Sequence, residues 1–527
     1  MTLHGLSQGP PLDLAVIGGG VNGAGVARAA ARAGLRVALF EADDFGFGTT
    51  WRSTKLIHGG LRYLEQGDVG LVRESLAERG RLLRERPWLV RPLRFLLPNL
   101  PWSRRPAWQL RIGLSAYDLL AGRSGLPRHR RVDSTKATQL VGGLAPEVAG
   151  AFTFFDARAR SPERLALELV LEAREAGATV FNHARVVAIA AEGGRVTGLT
   201  VRQGEKSVEV PARTIVNAAG PWVDEIAGLA PGTQPGLDLT RGTHIVADLP
   251  DHGLRAAVIS TARSDGRVFF AIPQGRSVLI GTTDERYEGP AGAVRPTAED
   301  ISYLLQEAQT LLPGEGIERT RVVYAYAGLR PLARGRAGHE SEVSRRHQVL
   351  AYETSGGPAG LLGVTGGKLT TYRTVAADVL QAMGTRARAD APPSFDASGW
   401  RSAVDALPGD RDVRARLSAY GPRLADVIAL GSHPVCALCG LIEGEIRHAF
   451  RQEAAVHLPD VLGRRTGTAW TRERGLCCVE TAATIAAEEA GWSHWEGMRE
   501  VTAYRDMVAF HLPAPETILP QASPGYE

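Results

Sequence analysis

Several side chains that could do chemistry lie together in residues 53–68, STKLIHGGLRYLEQGD. Lys55 supplies an ammonium, His58 an imidazole, Arg62 a guanidinium and Tyr63 a phenol. An imidazole exchanges protons near neutral pH, and a guanidinium matches the geometry of a phosphate. The apolar residues between them follow neither a helical nor a strand period, so we expect a loop. This combination suits proton transfer beside a bound anion.

The elements that must position this stretch begin with a nucleotide-binding signature. Residues 13–41, DLAVIGGGVNGAGVARAAARAGLRVALFE, predict a buried strand, an Ala-rich helix and a second strand. Gly18, Gly20 and Gly23 form a G-x-G-x-x-G motif that allows a tight turn, a close approach to a pyrophosphate and close packing of helix on strand. Glu41 is expected to accept hydrogen bonds from ribose hydroxyls. A dinucleotide is therefore predicted, and the N-terminal position of the motif favours FAD.

The composition is that of a globular protein with two or three domains. The 527 residues are 44% hydrophobic and 22% charged, and the formal net charge of +4 is too small to predict a nucleic-acid partner. Neither a membrane-spanning run nor a signal peptide is predicted, so we expect a cytoplasmic protein. Lysine is rare beside arginine, so each of the four lysines is a notable choice: Lys55, Lys136, Lys206 and Lys368.

The rest of the chain alternates between patterns of parallel and antiparallel strands. Antiparallel strands are predicted over 240–283, a helix is predicted to begin at Leu369, and a mostly helical region follows a linker at 386–396. The predicted fold is α/β, with an FAD-binding Rossmann-like domain interrupted by an antiparallel-sheet substrate domain, plus a C-terminal helical domain. The predicted boundaries are 12–84, 151–235 and 346–385 for FAD binding, 85–150 for a substrate or membrane-facing segment, 236–345 for the substrate domain and 397–527 for the helical domain.

A series of motifs in order resembles the FAD-dependent glycerol-3-phosphate dehydrogenase family, of which the glycerol-3-phosphate oxidases are close relatives. They are residues 13–68, NAAGPWVD at 217–224, GRVFFAIP with LIGTTD within 266–284, YAGLRPL at 326–332, GGKLTTYR at 366–373 and EIRHAFRQEAAVHLPDVLGRRT at 445–466. The match covers nearly the whole chain. It implies oxidation of sn-glycerol 3-phosphate to dihydroxyacetone phosphate, with hydride transfer from C2 to the flavin N5 and electrons passed to quinone.

The resemblance leaves the electron acceptor open, because the oxidases that use oxygen share these motifs. The alternative enzyme is a related flavoprotein oxidase of another hydroxy acid or an amino acid, and the non-enzymatic alternative is a flavin-bound scaffold or regulator. Clustered cations argue against both, since a carboxylate needs fewer cations than a phosphate and a scaffold needs none. The sequence does not decide the oligomeric state, for which a homodimer is one option.

The resemblance also implies roles for individual residues at the substrate. Arg62, Arg330 and Arg345 are expected to converge on the phosphate. Tyr63 either positions the substrate or only packs. His58 is the candidate base for the C2 hydroxyl, and the alternative is a histidine that hydrogen-bonds backbone near the flavin. Arg330 is also expected to orient the hydroxyl and to stabilise developing alkoxide.

Lys368 lies just before the predicted helix, where its ammonium is expected to stabilise negative charge on the reduced flavin or to reach the substrate. The alternative is a lysine that only caps a loop. The catalytic set is therefore His58, Arg330 and Lys368. The expected cofactor-binding residues are Gly18, Gly20, Gly23, Glu41, Thr50, Ser53, Lys55, Ala219, Gly220, Gly367, Lys368, Leu369 and Thr370.

Two residues depart from the family pattern. Arg346 follows Arg345 where the family has an acid, which adds charge beside a predicted phosphate ligand. Trp51 takes the place of a small residue in the Gly/Thr/Ser-rich loop, which is expected to alter packing near the flavin. Both departures put the substrate geometry in doubt and leave the FAD-binding prediction unaffected.

Residues 85–113 alternate Arg with Trp, Leu and Phe between prolines. Arginine pairs with anionic headgroups and Trp favours the membrane interface, so this segment predicts a peripheral contact with the inner face of the cytoplasmic membrane. The alternative is that these residues cover the substrate domain and pack internally. The sequence favours neither.

The four cysteines, Cys436, Cys439, Cys477 and Cys478, lie in the last hundred residues and do not form a disulfide framework. A zinc ion or an iron–sulfur cluster requires thiolates in such numbers. Adjacent cysteines are poor partners in a tetrahedral site, however, and the sequence between the pairs is predicted to be helical. We therefore expect buried cysteines without a metal.

Overall fold

The structure is a computed structural model that describes residues 2–65, 67–122, 124–234, 236–334, 346–388, 395–407, 409 and 411–511. Its strands are β1 (Leu14–Ile17), β2 (Val37–Phe40), β3 (Leu56–Ile57), β4 (Val90–Pro98), β5 (Arg130–Val132), β6 (Ala151–Ala159), β7 (Thr179–Phe181), β8 (Arg185–Glu192), β9 (Arg195–Gln203), β10 (Lys206–Pro211), β11 (Ile215–Asn217), β12 (Leu237–Asp248), β13 (Ala257–Thr261), β14 (Val268–Gln274), β15 (Ser277–Gly281), β16 (Glu285–Tyr287), β17 (Val322–Ala333), β18 (Gln348–Ala351) and β19 (Leu361–Thr365).

The α-helices of the described residues are α1 (Leu3–Ser7), α2 (Val21–Arg32), α3 (Leu61–Glu65), α4 (Val69–Glu85), α5 (Ala107–Ala121), α6 (Ser134–Leu140), α7 (Pro162–Glu175), α8 (Val223–Ala227), α9 (Ala298–Leu311), α10 (Tyr372–Ala382), α11 (Ala397–Asp405), α12 (Arg411–Leu417), α13 (Leu424–Ala429), α14 (Glu443–Gln452), α15 (Val479–Ala490) and α16 (His494–Phe510). The helix expected from Leu369 begins three residues later, after a turn. The stretch expected as a loop, 53–68, contains the short elements β3 and α3.

A six-stranded sheet with the order β18-β19-β11-β1-β2-β7 forms the nucleotide-binding half. Its strands run parallel except for the edge strand β18. Every residue of β1 and β2 is buried, as the unbroken apolar runs predict, because α2, α7 and α10 cover one face of this sheet and the three-stranded antiparallel sheet β10-β9-β8 packs on the other. The turns after β1, β2, β11 and β19 therefore meet at one edge, where ligands of such sheets bind.

A ten-stranded, largely antiparallel sheet forms the second half. Its order is β16-β12-β15-β14-β13-β4-β6-β3, with β17 paired to β12 and β5 to β6. Strand β6 differs from the sequence expectation, which assigned residues from 151 onward to the FAD-binding part. It pairs with β4 along its whole length, and β4 comes from the segment in which prolines obscured any strand pattern. The two chain segments are distant in sequence, so no local pattern reveals their pairing.

The C-terminal region is helical, and the predicted fold class is confirmed. Buried ion pairs fasten this region to the nucleotide-binding half. Asp44, in the loop after β2, accepts hydrogen bonds from Arg464 at 2.5 Å and from Arg465 at 2.5 Å, and Arg464 also pairs with Asp460 at 2.7 Å. Although burial opposes ionisation, Arg465 and Arg464 hold the pKa of Asp44 below its usual value. Among the described helices, none combines the length and the apolar character needed to cross a bilayer.

Candidate functional site

A cavity of about 530 Å³ opens at the edge of the six-stranded sheet where the turns converge. It is lined by most of the residues that the sequence predicts to bind a cofactor: Gly18, Gly20, Glu41, Thr50, Ser53, Ala219, Gly220, Gly367, Lys368, Leu369 and Thr370. The structure therefore brings together four chain segments that are far apart in sequence. Their role in cofactor binding stays a prediction.

Two glycines of the signature, Gly18 and Gly23, are required by close packing. Gly18 has a φ of +105°, and a Cβ there would lie 2.6 Å from the carbonyl oxygen of Ala218. A Cβ on Gly23 would lie 1.9 Å from the carbonyl oxygen of Gly18, so Gly23 allows α2 to sit against the turn. Gly20, which caps α2, would meet only the Thr50 hydroxyl at 3.4 Å and leaves backbone facing the cavity.

Glu41 lies at the end of β2 with its carboxylate directed at the signature turn. Its Oε2 accepts a hydrogen bond of 2.6 Å from the Gly19 backbone N–H, and its Oε1 accepts one of 2.9 Å from Asp43. Burial raises the pKa of Glu41 to about 7, against the effect of these hydrogen bonds. The carboxyl group is therefore poised to exchange a proton or a hydrogen-bond partner near neutral pH.

The cavity fits a dinucleotide. Backbone of the signature turn and the N-terminus of α2 face it, which suits a pyrophosphate. Asn22, in the first turn of α2, also lines it, and its buried Oδ1 has no hydrogen-bond partner among the described residues. A buried polar atom of this kind is ordinarily satisfied in proteins, so a ligand group is expected there.

A second cavity of about 1060 Å³ adjoins the first. The two cavities share four lining residues, Thr54, His58, Tyr63 and Arg330. His58 follows β3 directly, and its ring lies edge-on to Phe270, 6.5 Å between centroids. Three of the side chains that the sequence predicts to act on the substrate, His58, Tyr63 and Arg330, therefore stand at the boundary between the two cavities.

Arg330 is held in place by strand β12 and by the loop after β15. Its Nη1 donates to Asp284 Oδ1 at 2.9 Å, and its Nη2 donates to Thr282 Oγ1 at 3.0 Å. Gly242 makes room for this guanidinium, because a Cβ there would lie 2.2 Å from Nη2. Arg330 is thus a positioned cation that faces both cavities.

Lys368 places its ammonium over Tyr63. The Nζ atom lies 3.4 Å from the centroid of the phenol ring, a cation–π contact that fixes both side chains. Tyr63 is buried, and both residues line the first cavity. A second positive group therefore joins Arg330 near His58.

Lys55 differs from the sequence prediction. Its side chain turns into the core, donates a hydrogen bond of 3.2 Å to the Trp51 carbonyl and lies 3.9 Å from Glu163. Burial lowers its pKa, and Glu163 opposes this shift. Lys55 is absent from the lining of the first cavity, and its backbone has a positive φ of 59°. Its contribution is to the packing beneath the loop.

Other predicted positions are only partly described. The side chain of Arg62 and the whole of Arg345 lie outside the described residues. Arg346 forms a two-pronged contact with Asp68, with Nη2 2.5 Å from Oδ1, and so neutralises the charge that it adds. Trp51 stacks on Trp470 of the C-terminal region at 4.5 Å, away from the first cavity.

His244 is a residue that sequence reasoning missed. It is fully buried in β12, stacks on Tyr326 at 4.9 Å, and its Nε2 lies 3.0 Å from the hydroxyl of Thr54. Burial lowers the pKa of His244 to about 3, so the ring is neutral at physiological pH. It therefore fixes a hydroxyl that lines both cavities. The only available signal was a histidine within an apolar strand.

Two family models match the chain. The FAD dependent oxidoreductase model matches residues 13–373. The model for the C-terminal domain of alpha-glycerophosphate oxidase matches residues 394–496. Together they cover both the part that contains the sheets and most of the helical region.

Individual proteins are similar over almost their whole length. A glycerol-3-phosphate dehydrogenase of Synechocystis sp. is 33% identical over 95% of this chain and 96% of its own length. A D-erythritol 1-phosphate dehydrogenase of Brucella abortus is 38% identical over 86% of this chain and 94% of its own. The solved glycerol-3-phosphate dehydrogenase from Bacillus halodurans, complexed with FAD, superposes with a TM-score of 0.79 at 26% identity and covers 97% of each chain.

Proposed function

The chain belongs to the FAD-dependent oxidoreductases and, among them, to the glycerol-3-phosphate dehydrogenase family, and we propose that it oxidises sn-glycerol 3-phosphate to dihydroxyacetone phosphate. The observation that carries this proposal is the presence of His58 and Arg330 where the two cavities meet, with the ammonium of Lys368 over Tyr63, which also lines both cavities. A small dianionic substrate that must lose a proton requires cations and a base within reach of the cofactor.

The signature turn, Glu41 and the 366–370 loop would hold FAD, which would supply the acceptor for the two electrons. Arg330 and Lys368 provide fixed positive charge toward the phosphate and toward negative charge that develops during the reaction. We assign Arg62 and Arg345 to the phosphate by family resemblance. His58 accepts the proton of the C2 hydroxyl, and His244 keeps the neighbouring Thr54 hydroxyl oriented.

The test is anaerobic reduction of the bound flavin. Glycerol 3-phosphate is expected to bleach the oxidised flavin within one turnover, whereas glycerol, which lacks the phosphate, is expected to be at least about a hundredfold less effective because it cannot use the cations. An amino acid or a hydroxy acid that bleaches the flavin faster would overturn the assignment of substrate.

The acceptor that we propose is a quinone in the membrane, and the surface that supports it is α5. Trp108, Ile112 and Leu119 share one face of this helix and are 62%, 61% and 81% exposed. Arg104 and Arg105 precede the helix and are exposed. Ile112 also lines the second cavity, which leads to His58 and Arg330. Apolar side chains beside exposed arginines suit peripheral contact with an anionic bilayer.

Co-sedimentation with anionic vesicles tests this contact. Replacing Trp108 and Leu119 by Ser together is expected to reduce vesicle binding and quinone reduction while leaving flavin reduction by substrate intact, because neither residue lines the second cavity. The matched control is Trp495→Ser, since Trp495 is 79% exposed on α16, far along the chain. Full activity with oxygen in place of quinone, together with no vesicle binding by the unmodified protein, would favour an oxidase.

A second substrate has a specific observation in its favour. The second cavity, of about 1060 Å³, has room for a polyol phosphate longer than glycerol 3-phosphate. The Brucella abortus relative is named for D-erythritol 1-phosphate. Comparing kcat/KM for the two phosphates decides between them, and a higher value for D-erythritol 1-phosphate would replace the leading proposal.

A further inference from the structure

The four cysteines lie together on turns of the C-terminal region, remote in sequence from the catalytic residues. Cys436 and Cys439 occupy the turn before α14, and Cys477 and Cys478 occupy the turn before α15. None of the four forms a disulfide. The sequence between the two pairs contains α14, as expected, but both pairs sit on turns, and Cys477 is exposed where a buried cysteine was expected.

Three of the four sulphur atoms have the mutual spacing of ligands that share one ion, and the fourth is close to one of them. The Sγ atoms of Cys436, Cys439 and Cys477 all lie within 4.8 Å of one another. The Sγ of Cys478 lies 3.5 Å from that of Cys439. In a tetrahedral zinc site, zinc–sulphur bonds of about 2.3 Å place neighbouring sulphurs about 3.8 Å apart. An iron–sulfur cluster has several irons and holds its cysteines farther apart, so a single ion fits better.

Hydrogen bonds fix the conformation of the turn that carries Cys436 and Cys439. It reads C-x-x-C-G, with Gly440 at a φ of +60°, and the Gly440 N–H donates to the Cys436 carbonyl at 2.9 Å. Arg416 supports the turn from behind, donating to the carbonyls of Cys439 at 2.8 Å and Gly440 at 2.6 Å. Such outer contacts orient metal ligands and are typical of thiolate sites.

We propose that Cys436, Cys439, Cys477 and Cys478 bind a single structural zinc ion. The ion joins the turn before α14 to the turn before α15 and completes the core formed around Cys439, Cys478, Leu441 and Val479. Zinc is preferred over other metals because four thiolates in a tetrahedral arrangement select it and because it has no redox chemistry to interfere with a flavin. This site does not depend on the activity proposed above.

Metal analysis of the full-length, FAD-loaded protein tests the site, after purification on a metal-free matrix without chelators. We expect about one zinc per chain. Growth with Co²⁺ is expected to give ligand-field bands of a tetrahedral thiolate complex at wavelengths beyond the flavin absorption, a readout that requires no variant. No metal in the protein, or iron with acid-labile sulfide, would overturn the proposal.

Variants then identify the ligands. Cys439→Ser and Cys477→Ser are expected to lower zinc content about tenfold or more. The matched controls are Leu438→Ser and Leu476→Ser, because each lies next to a ligand on the same turn and is exposed, at 74% and 39%. Both controls are expected to keep the zinc. Flavin content shows whether each variant has folded, and full zinc in folded Cys478→Ser would overturn Cys478 as the fourth ligand.

Discussion

Where the two cavities meet, we assign substrate binding and proton transfer to different side chains. His58 is the only histidine among the described residues that lines both cavities, and it follows a strand that fixes its backbone. Arg330 and Lys368 are held by contacts of their own, to Asp284 and Tyr63. Loss of the imidazole should therefore affect the chemical step, whereas movement of a guanidinium should affect affinity.

The first prediction concerns His58→Gln. The amide keeps a hydrogen-bonding group but cannot take a proton at neutral pH, so kcat is expected to fall by about 10²- to 10⁴-fold with little change in KM. Single-turnover reduction of the flavin measures this directly. His494→Gln, an exposed histidine at the start of α16, is the control and is expected to behave as the unmodified protein. An unchanged rate of flavin reduction in His58→Gln would assign the proton to another group.

The second prediction concerns Gly242→Ala. The added methyl would lie 2.2 Å from Arg330 Nη2, so the guanidinium must move out of its contacts with Thr282 and Asp284. Since a displaced phosphate ligand weakens binding, KM is expected to rise about tenfold. Steady-state kinetics measure it, with Gly497→Ala as control because a Cβ there meets nothing within 4 Å. A KM equal to that of the control would show that Arg330 needs no such space.

The sequence predicts the residues that line the first cavity better than the buried polar residue that supports this lining. Gly18, Gly20 and Glu41 belong to one local motif, whose spacing carries its own geometry. His58 and Arg330 come from distant segments and were predicted from family resemblance. His244 was missed because its partner, Thr54, is 190 positions away and its own strand has an ordinary pattern.

At the scale of elements, helices and strands that nearby residues specify are predicted better than pairings between distant strands. The unit β1–α2–β2 follows from consecutive residues, and its two strands and its helix occur in the predicted order within residues 13–41. The pairing of β4 with β6 joins segments that are far apart, and Pro92 and Pro98 hide the strand pattern of β4. The sequence therefore predicts the elements that nearby residues specify. It misplaces the boundary at residue 151, because that boundary depends on the pairing of β6 with a distant strand.

The third prediction concerns the start of α16, whose capping box involves Ser493 and Glu496. The Ser493 hydroxyl accepts from the Glu496 N–H at 3.3 Å, and Glu496 accepts from the Ser493 N–H at 2.7 Å. Ser493→Ala is expected to lower the free energy of unfolding by about 1 kcal/mol. Thr502→Ala, exposed in the same helix, is expected to be neutral or slightly stabilising, since Ala favours helix. Urea denaturation measures both, and equal shifts would mean that the cap contributes nothing.

At the scale of the whole molecule, buried charges hold the helical region against the nucleotide-binding half. The fourth prediction is that Asp44→Asn destabilises the protein by about 3–5 kcal/mol, because Arg464 and Arg465 lose a buried countercharge. The measurement is thermal unfolding combined with limited proteolysis of the C-terminal region. Asp43→Asn is the control, since Asp43 is 41% exposed and 3.8 Å from Arg464. Equal stability of the two variants would show that the ion pairs of Asp44 do not hold the helical region in place.

His511, at the end of α16, makes the packing of the C-terminal region against the rest of the chain sensitive to pH. His511 packs edge-on against Trp51 and Trp470, each at 5.2 Å, and its carbonyl accepts from the Ala325 N–H at 3.0 Å. Burial lowers the pKa of His511 to about 3, and Arg52 adds to the effect. The folded protein thus holds a neutral ring, while the unfolded chain takes up a proton as pH falls through about 6.5.

The fifth prediction follows from that difference in proton uptake. Because the pKa is depressed on folding, the stabilisation is present above about pH 6.5 and is lost progressively toward pH 3, by at most about 1.4 kcal/mol per pH unit. His511→Gln removes the proton-binding group. The melting temperature of this variant should therefore fall less than that of the unmodified protein between about pH 7.5 and about pH 5.5, roughly one unit either side of 6.5. His494→Gln controls for an exposed histidine and should show the unmodified slope. Parallel melting curves for His511→Gln and the unmodified protein would mean that His511 becomes protonated without leaving its place between the two tryptophans.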